Sequence, residues 1–306
     1  MTDLKSLDAK DQKEVVSNTD NKKEIPKKLL DDKGIEVPIL IISLDTEKEV
    51  ARRQRLMSRL KYHGIEDSVT HIKAIYKDDA DIKIAKGDFN GSSNSEIGCM
   101  LSHLKAAATF LLKMNLPRAL IFESDPILIN GFKDEFLKVV KGMVSSTPLL
   151  MINNYTPNKD GVIKNGDYVN ITARTYSTLS YVITREYAKT ILDKYTTEFK
   201  LNTKNEIEIK WLPFSKYKLT DCIQTDHKKP LTEDNKRITA EVITILSNGI
   251  ATAKNLCIGE SLDTSIQPLE DMQWHQHYYK QLEPINYLDA DIACEHEDVL
   301  KVWGIC

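Results

Sequence analysis

The stretch RALIFESDPIL, residues 118 to 128, places two carboxylates, Glu123 and Asp125, one residue apart at the end of an apolar run. In an extended chain, residues two apart point to the same side, so the pair could face one bound ion, directly or through water. Hard oxygen ligands suit Mg²⁺ or Mn²⁺, ions that bridge protein carboxylates and substrate phosphates. A metal there would neutralise the charge that develops on a departing diphosphate. The same residues also suit an acidic turn capped by Pro126, and E-x-D by itself does not decide between the two.

Other residues with the right chemistry are scattered. Arg52, Arg53 and Arg55 cluster on one helical stretch, as a solvated face or a local pocket for phosphates. His103, next to Ser102, lies beside an apolar helical face, where a histidine is a satisfied structural residue or a ligand. Gly98 in that helix costs about 1 kcal/mol relative to Ala, which points to a close approach by backbone or ligand. Far along the chain stands Trp274-His275-Gln276-His277-Tyr278-Tyr279. His275 and His277 share a face only on an extended segment, where they could complete a metal site. The cluster could equally form an acceptor platform or pack on the core.

These residues need elements to position them. VPILIISLD, residues 37 to 45, is a nearly continuous apolar run, as in a strand buried on both faces, and it ends at Asp45. Thr46 and Glu49 fit a capping box, with Val50, Met57 and Leu60 following at helical spacing up to Gly64. HIKAIY (71 to 76) reads as a second strand. Ser93 and Glu96 suggest another capping box, and Ile97, Met100, Leu101, Leu104, Ala107, Ala108 and Leu111 mark one helical face. ALIF then leads into Glu123. PLLMINN (148 to 154) and STLSYVI (177 to 183) read as strands, with a helix from Thr184 to about Tyr195. ITAEVITILSNG (238 to 249) reads as helical. Alternating strands and helices predict an α/β domain with a mainly parallel central sheet and helices on both faces. In such sheets ligands bind beyond the C-terminal strand ends, where Asp45, Glu123 and Asp125 fall.

The 306 residues suffice for one large domain or two modest ones, and the net charge of -3 argues against a general nucleic-acid binder. Residues 1–36 read as a mobile charged tail, residues 37–230 as the core, and residues 231–306 as a C-terminal extension packing on it. No apolar run approaches the roughly 20 residues of a membrane span, and the N-terminus lacks a signal-like stretch, so a cytoplasmic location in a bacterial or viral setting is expected. The five cysteines form no C-x-x-C pair, so free thiols are expected.

In order, IISLD, RRQRLMSRLKYHGI, EIGCMLSH, ALIFESD and STLSYVITREYAKTIL resemble glycosyltransferase family 25, which includes lipopolysaccharide and collagen galactosyltransferases. The resemblance covers residues 38 to about 195. It implies a GT-A-like fold that binds a nucleotide sugar, a UDP-sugar, with Mn²⁺ (or Mg²⁺) at Glu123 and Asp125. Ser43, Leu44 and Asp45 match the segment along the nucleotide, Arg52 and Arg53 the family's arginine pair, and Ser102 and His103 the helix beneath the donor. Thr178 and Tyr181 match the strand near the acceptor.

Four departures stand out, the first being two extra residues between Asp45 and the arginine pair. Ser124 replaces the middle acid of the family's E-D-D, Arg185-Glu186-Tyr187 precede Ala188 where a glycine is usual, and the later P-x-D acid has no clear match. Asp221, with Glu206 behind it, is the candidate for the catalytic carboxylate. The expected activity is sugar transfer to a hydroxyl of a glycan, lipopolysaccharide-like or protein-linked acceptor, with inversion. The alternatives are a catalytically degenerate nucleotide-sugar-binding or interaction module, or a nucleotide-sugar hydrolase.

Overall fold

The apolar run after Val37 forms β1 (Ile39–Ser43), all five residues of which are buried. The computed structural model describes residues 27–144, 146–153, 168–171, 177–223, 231–232 and 235–260. After β1 come α1 (Glu47–Tyr62), β2 (Val69–Lys73), α2 (Ala80–Lys86), α3 (Asn94–Lys113), β3 (Arg118–Phe122), β4 (Pro126–Leu128), α4 (Phe132–Gly142), β5 (Leu149–Met151) and β6 (Tyr168–Asn170). Then follow β7 (Ser180–Thr184), α5 (Arg185–Tyr195), β8 (Thr196–Leu201), β9 (Ile207–Trp211), α6 (Glu241–Ile245), β10 (Ile250–Thr252) and β11 (Cys257–Gly259).

Among the described residues the central sheet has seven strands in the order β2-β1-β3-β7-β5-β10-β6. β1 pairs in parallel with β2 and β3, and β10 with β5. β7 is antiparallel to both β3 and β5, and β6 to β10. Five strands therefore run one way and two the other, so the sheet is mixed but mainly parallel.

Strand alternation separates two cores. Leu40, Ile42, Ala119, Ile121, Met151 and Ile183 pack toward α2, α3 and α5. Ile39, Ile41, Leu120, Phe122 and Val182 pack toward α1 and α4, with Leu56, Leu60, Phe132 and Phe136. Helices thus cover both faces, which explains why the strands read as continuous apolar runs.

Local chemistry sets the element ends. Ser93 and Glu96 make a complete capping box at α3. Thr46 caps α1 by accepting from the Glu49 N–H, but the Glu49 carboxylate turns to other partners. β2 ends at Lys73, earlier than the expected 71–76 strand, because the Ile75 N–H is taken by Ser102 Oγ at 2.8 Å. Gly98 allows that contact: a Cβ there would lie 2.7 Å from the Ile75 carbonyl oxygen. Arg185 donates to the Met114 and Leu111 carbonyls at the end of α3, at 2.6 and 2.8 Å.

Three boundaries differ from expectation. Residues 27–36 are not a free tail: Leu29 is fully buried, its N–H bonds to Ser68 Oγ, and Val37 N–H bonds to its carbonyl. The expected helix over 238–249 is confined to Glu241–Ile245. Asn248, at φ 52°, and Gly249 turn the chain into β10, and a Cβ on Gly249 would lie 2.3 Å from the Leu149 carbonyl oxygen. Finally, β10 is a strand of the central sheet, hydrogen-bonded between β5 and β6, so this part of the expected extension belongs to the core.

Candidate active site

The C-terminal edge of the parallel strands gathers the candidate residues. β3 stops at Phe122 and β4 begins at Pro126, so Glu123-Ser124-Asp125 is the link between two strands. The alternation of an extended strand therefore does not extend through it. The Glu123 N–H still bonds to the Leu179 carbonyl at 2.9 Å, and the Glu123 and Ser124 side chains turn to different neighbours.

Glu123 turns toward α3 and the start of β7. Thr178 Oγ1 donates to its Oε1 at 2.6 Å. His103 Nε2 lies 3.4 Å from the same oxygen, without hydrogen-bond geometry, and has no partner among the described residues. The side chain is 30% exposed. Burial works against the Glu123 charge, but the His103 imidazole, the Thr178 hydroxyl and Arg52 outweigh it and hold the carboxyl below its usual range.

Ser124 points to α1, where its Oγ donates to Glu49 Oε2 at 2.5 Å. Glu49 Oε1 accepts from Arg52 Nη1 at 2.7 Å, and all three side chains are buried. The middle position of the acidic motif therefore serves the buried Glu49–Arg52 pair and not the open side of the site.

The partly exposed Asp125 carboxylate accepts no hydrogen bond among the described residues. Burial pushes its carboxyl up to about 7; Arg52 opposes the shift, while Glu123, Glu260 and Glu49 add to it. A carboxylate without a hydrogen-bond donor, among three others, suits a cation. With its hard oxygen donors, the Glu123–Asp125 set fits Mg²⁺ or Mn²⁺.

Behind this link is a clamp that the sequence did not reveal. Arg59 Nη1 donates to the Pro126 carbonyl and Nη2 to Glu260 Oε1, both at 2.7 Å. Arg55 Nε reaches the same Oε1 at 2.9 Å and its Nη2 reaches Oε2. The Glu260 N–H returns to the Asp125 carbonyl at 2.9 Å. Arg59 and Glu260 are enclosed, at 1% and 0% side-chain exposure, so the charges neutralise each other where water cannot. Arg52, Arg53 and Arg55 are accordingly not a solvated face.

At the end of β1, Arg53 Nη1 donates to Ser43 Oγ at 2.5 Å and to His71 Nε2 at 2.8 Å. Burial and Arg53 keep the His71 pKa below its usual value, consistent with a neutral ring accepting at Nε2. The exposed Asp45 carboxylate pairs with Lys73 at 3.0 Å and lies 3.9 Å from Arg53. The Lys73 hydrogen bond outweighs desolvation and holds it below its usual range. Leu44 is half-buried between them.

Ser102, His103 and Tyr181 are enclosed. Ser102 Oγ donates to the Gly98 carbonyl at 2.6 Å, and Tyr181 Oη lies 2.9 Å from His103 Nδ1. At 1% and 0% exposure, Ser102 and Tyr181 present almost no surface to solvent. Thr178 is held through Ser177, whose φ of 132° is strained for a residue with a side chain, a conformation costing about 1–3 kcal/mol. Its hydroxyl donates to Asn153 Oδ1 at 2.7 Å and accepts from the Leu179 N–H at 3.0 Å. Asn153 in turn donates to the Cys257 carbonyl at 2.7 Å.

The expected catalytic carboxylates lie apart from this network. Asp221 pairs with Lys194 at 2.7 Å and accepts from the Lys218 N–H at 3.0 Å. Burial alone would raise its pKa, but Lys194 and Lys218 outweigh it and hold the carboxyl low. Glu206 accepts from Asn202 at 3.0 Å in the turn between β8 and β9. Neither contacts Glu123 or Asp125 among the described residues. His275 and His277 lie outside the described residues. Sequence reading missed Cys99, although it stands one helical turn before His103, and the Cys99, His103 and Glu123 ligand atoms lie within 4.8 Å of one another.

A mainly parallel mixed sheet covered by helices on both faces, with an acidic link at its C-terminal edge, is consistent with a GT-A-like fold. The family model for glycosyltransferase family 25 (LPS biosynthesis protein) matches residues 36–207, more than half of the chain. The protein therefore belongs to glycosyltransferase family 25 and is a glycosyltransferase. No curated protein matches the chain. No helix among the described residues is long and apolar enough to cross a membrane.

Proposed function

We propose that this glycosyltransferase takes its sugar from a UDP-sugar, with Mn²⁺ or Mg²⁺ held by Glu123 and Asp125, and passes it with inversion to a hydroxyl of a glycan, lipopolysaccharide-like or protein-linked acceptor. The observation that carries the reading is the Asp125 carboxylate, which has no hydrogen-bond donor among the described residues and lies beside Glu123 at the sheet edge. When bound, the cation would supply charge neutralisation for the leaving diphosphate. Thr178 orients Glu123, while Arg55, Arg59 and Glu260 fix the backbone carbonyls of Asp125 and Pro126. Ser43, Leu44 and Asp45 end β1 on the same edge, where a nucleotide would lie in a fold of this type.

Thermal stabilisation by UDP, GDP and CMP, with and without Mn²⁺, tests the donor. A ligand selective for the folded state stabilises it by an amount that grows with the logarithm of its concentration, about 2.7 kcal/mol at a hundredfold excess over Kd. The expected result is a shift by UDP that needs Mn²⁺ and is abolished by Asp125→Ala. An unchanged shift in Asp125→Ala would remove this carboxylate from the site. UDP release that depends on an added acceptor then supports transfer; release without one supports hydrolysis.

A further inference from the structure

Glu123 has a second set of neighbours whose chemistry differs from that of Asp125. Cys99 and His103 stand at i and i+4 on α3, so both project from one face. With Glu123 they bring one sulfur, one nitrogen and one oxygen within 4.8 Å of one another. His103 is fully buried, and its Nε2, 3.4 Å from Glu123 Oε1, has no hydrogen-bond partner among the described residues. Its other nitrogen is occupied by Tyr181 Oη at 2.9 Å. A metal-binding histidine is oriented in this way, one ring nitrogen held by a neighbour and the other facing the ion.

We propose that Cys99, His103 and Glu123 form a site for zinc and similar thiophilic divalent ions, and that this site shares Glu123 with the donor site. Thiolate and imidazole select zinc over Mg²⁺ or Mn²⁺, which prefer oxygen. Bonds of about 2.0–2.3 Å around tetrahedral zinc put ligand atoms roughly 3.3–3.8 Å apart, so modest side-chain rotations close the set. Cys99 and Glu123 are only partly buried, which leaves a path for the ion and an open fourth position. Binding exchanges the thiol proton for the metal, and the proton passes to solvent. The zinc site stands on these three side chains alone. Its consequence, that zinc displaces Mn²⁺-dependent UDP binding, rests on the donor reading above.

The test uses the metal-free full-length chain, Co²⁺ as a spectroscopic probe, and Zn²⁺ titrated against a competing chelator. Wild type is expected to give a thiolate-to-cobalt charge-transfer band and to bind one zinc more than Cys99→Ala, which loses the band. Asp125→Ala is expected to keep it. Equal zinc stoichiometry and an equal band in wild type and Cys99→Ala would overturn the proposal. His103 is buried, so the partly exposed Cys99 is the first choice, with Glu123→Gln as a second variant expected to weaken zinc binding more than tenfold. Zinc is further expected to abolish the Mn²⁺-dependent UDP shift in wild type and not in Cys99→Ala; an undiminished shift in zinc-loaded wild type would overturn the sharing of Glu123. If UDP shifts neither protein, the donor reading fails while the cobalt band still reports on the zinc site.

Discussion

Ser124 shows how a change in a family's acidic motif is read from its surroundings. A lost charge at the centre of E-S-D would suggest a weakened metal site. Its hydroxyl, however, faces the buried Glu49–Arg52 pair, so the loss falls on a structural network. Restoring an acid by Ser124→Asp should therefore leave Mn²⁺-dependent UDP binding no stronger. It should also cost on the order of 3 kcal/mol, as burying a further charge beside Glu49 demands, and Glu49→Gln in the same chain should recover most of that. Urea unfolding of the two variants measures the cost, and a tighter UDP complex in Ser124→Asp would refute the assignment. Glu123 and Asp125 were legible in the sequence because they end an apolar run. The buried partner of Ser124 was not, because Glu49 lies 75 residues upstream.

The contact between α1 and α4 carries a pH dependence. His63 caps α1 and packs its ring 5.8 Å from Phe132 at the start of α4. Burial lowers its pKa from 6.5 to about 4, with Asp134 opposing. The unfolded chain therefore takes up this proton first, so the contribution is full above 6.5 and is lost as pH falls toward 4. After allowance for partial exposure, the loss should be about 2 kcal/mol. Denaturant unfolding at pH 7 and pH 4.5 should show it, and His63→Phe should flatten this part of the slope; an equal slope in the variant would exclude His63 as its source. Most elements were visible in the sequence for a related reason: caps, periodicity and apolar runs are local. The premature end of β2 was not, because Ser102 reaches it from 27 residues away.

At the scale of the whole molecule, the family match ends at residue 207, but the sheet does not. β10 is hydrogen-bonded between β5 and β6, so a chain ended at residue 248 leaves two internal strand edges unpaired. Such a chain should lose its cooperative thermal transition by circular dichroism; a sharp melt near that of the full chain would show that the sheet closes without β10. Sequence patterns gave no sign of this closure, since β10 is three residues long and its partners lie far upstream.

The clamp behind the acidic link also has an order in time. Arg55 and Arg59 are made early, but their carboxylate partner follows 205 and 201 residues later. On the ribosome, α1 must keep both guanidinium groups hydrated until Glu260 emerges, because burying either one unpaired is strongly unfavourable. Glu260 is thus what allows the back of the site to dry, and a nascent chain cannot finish this site before residue 260 has been synthesised.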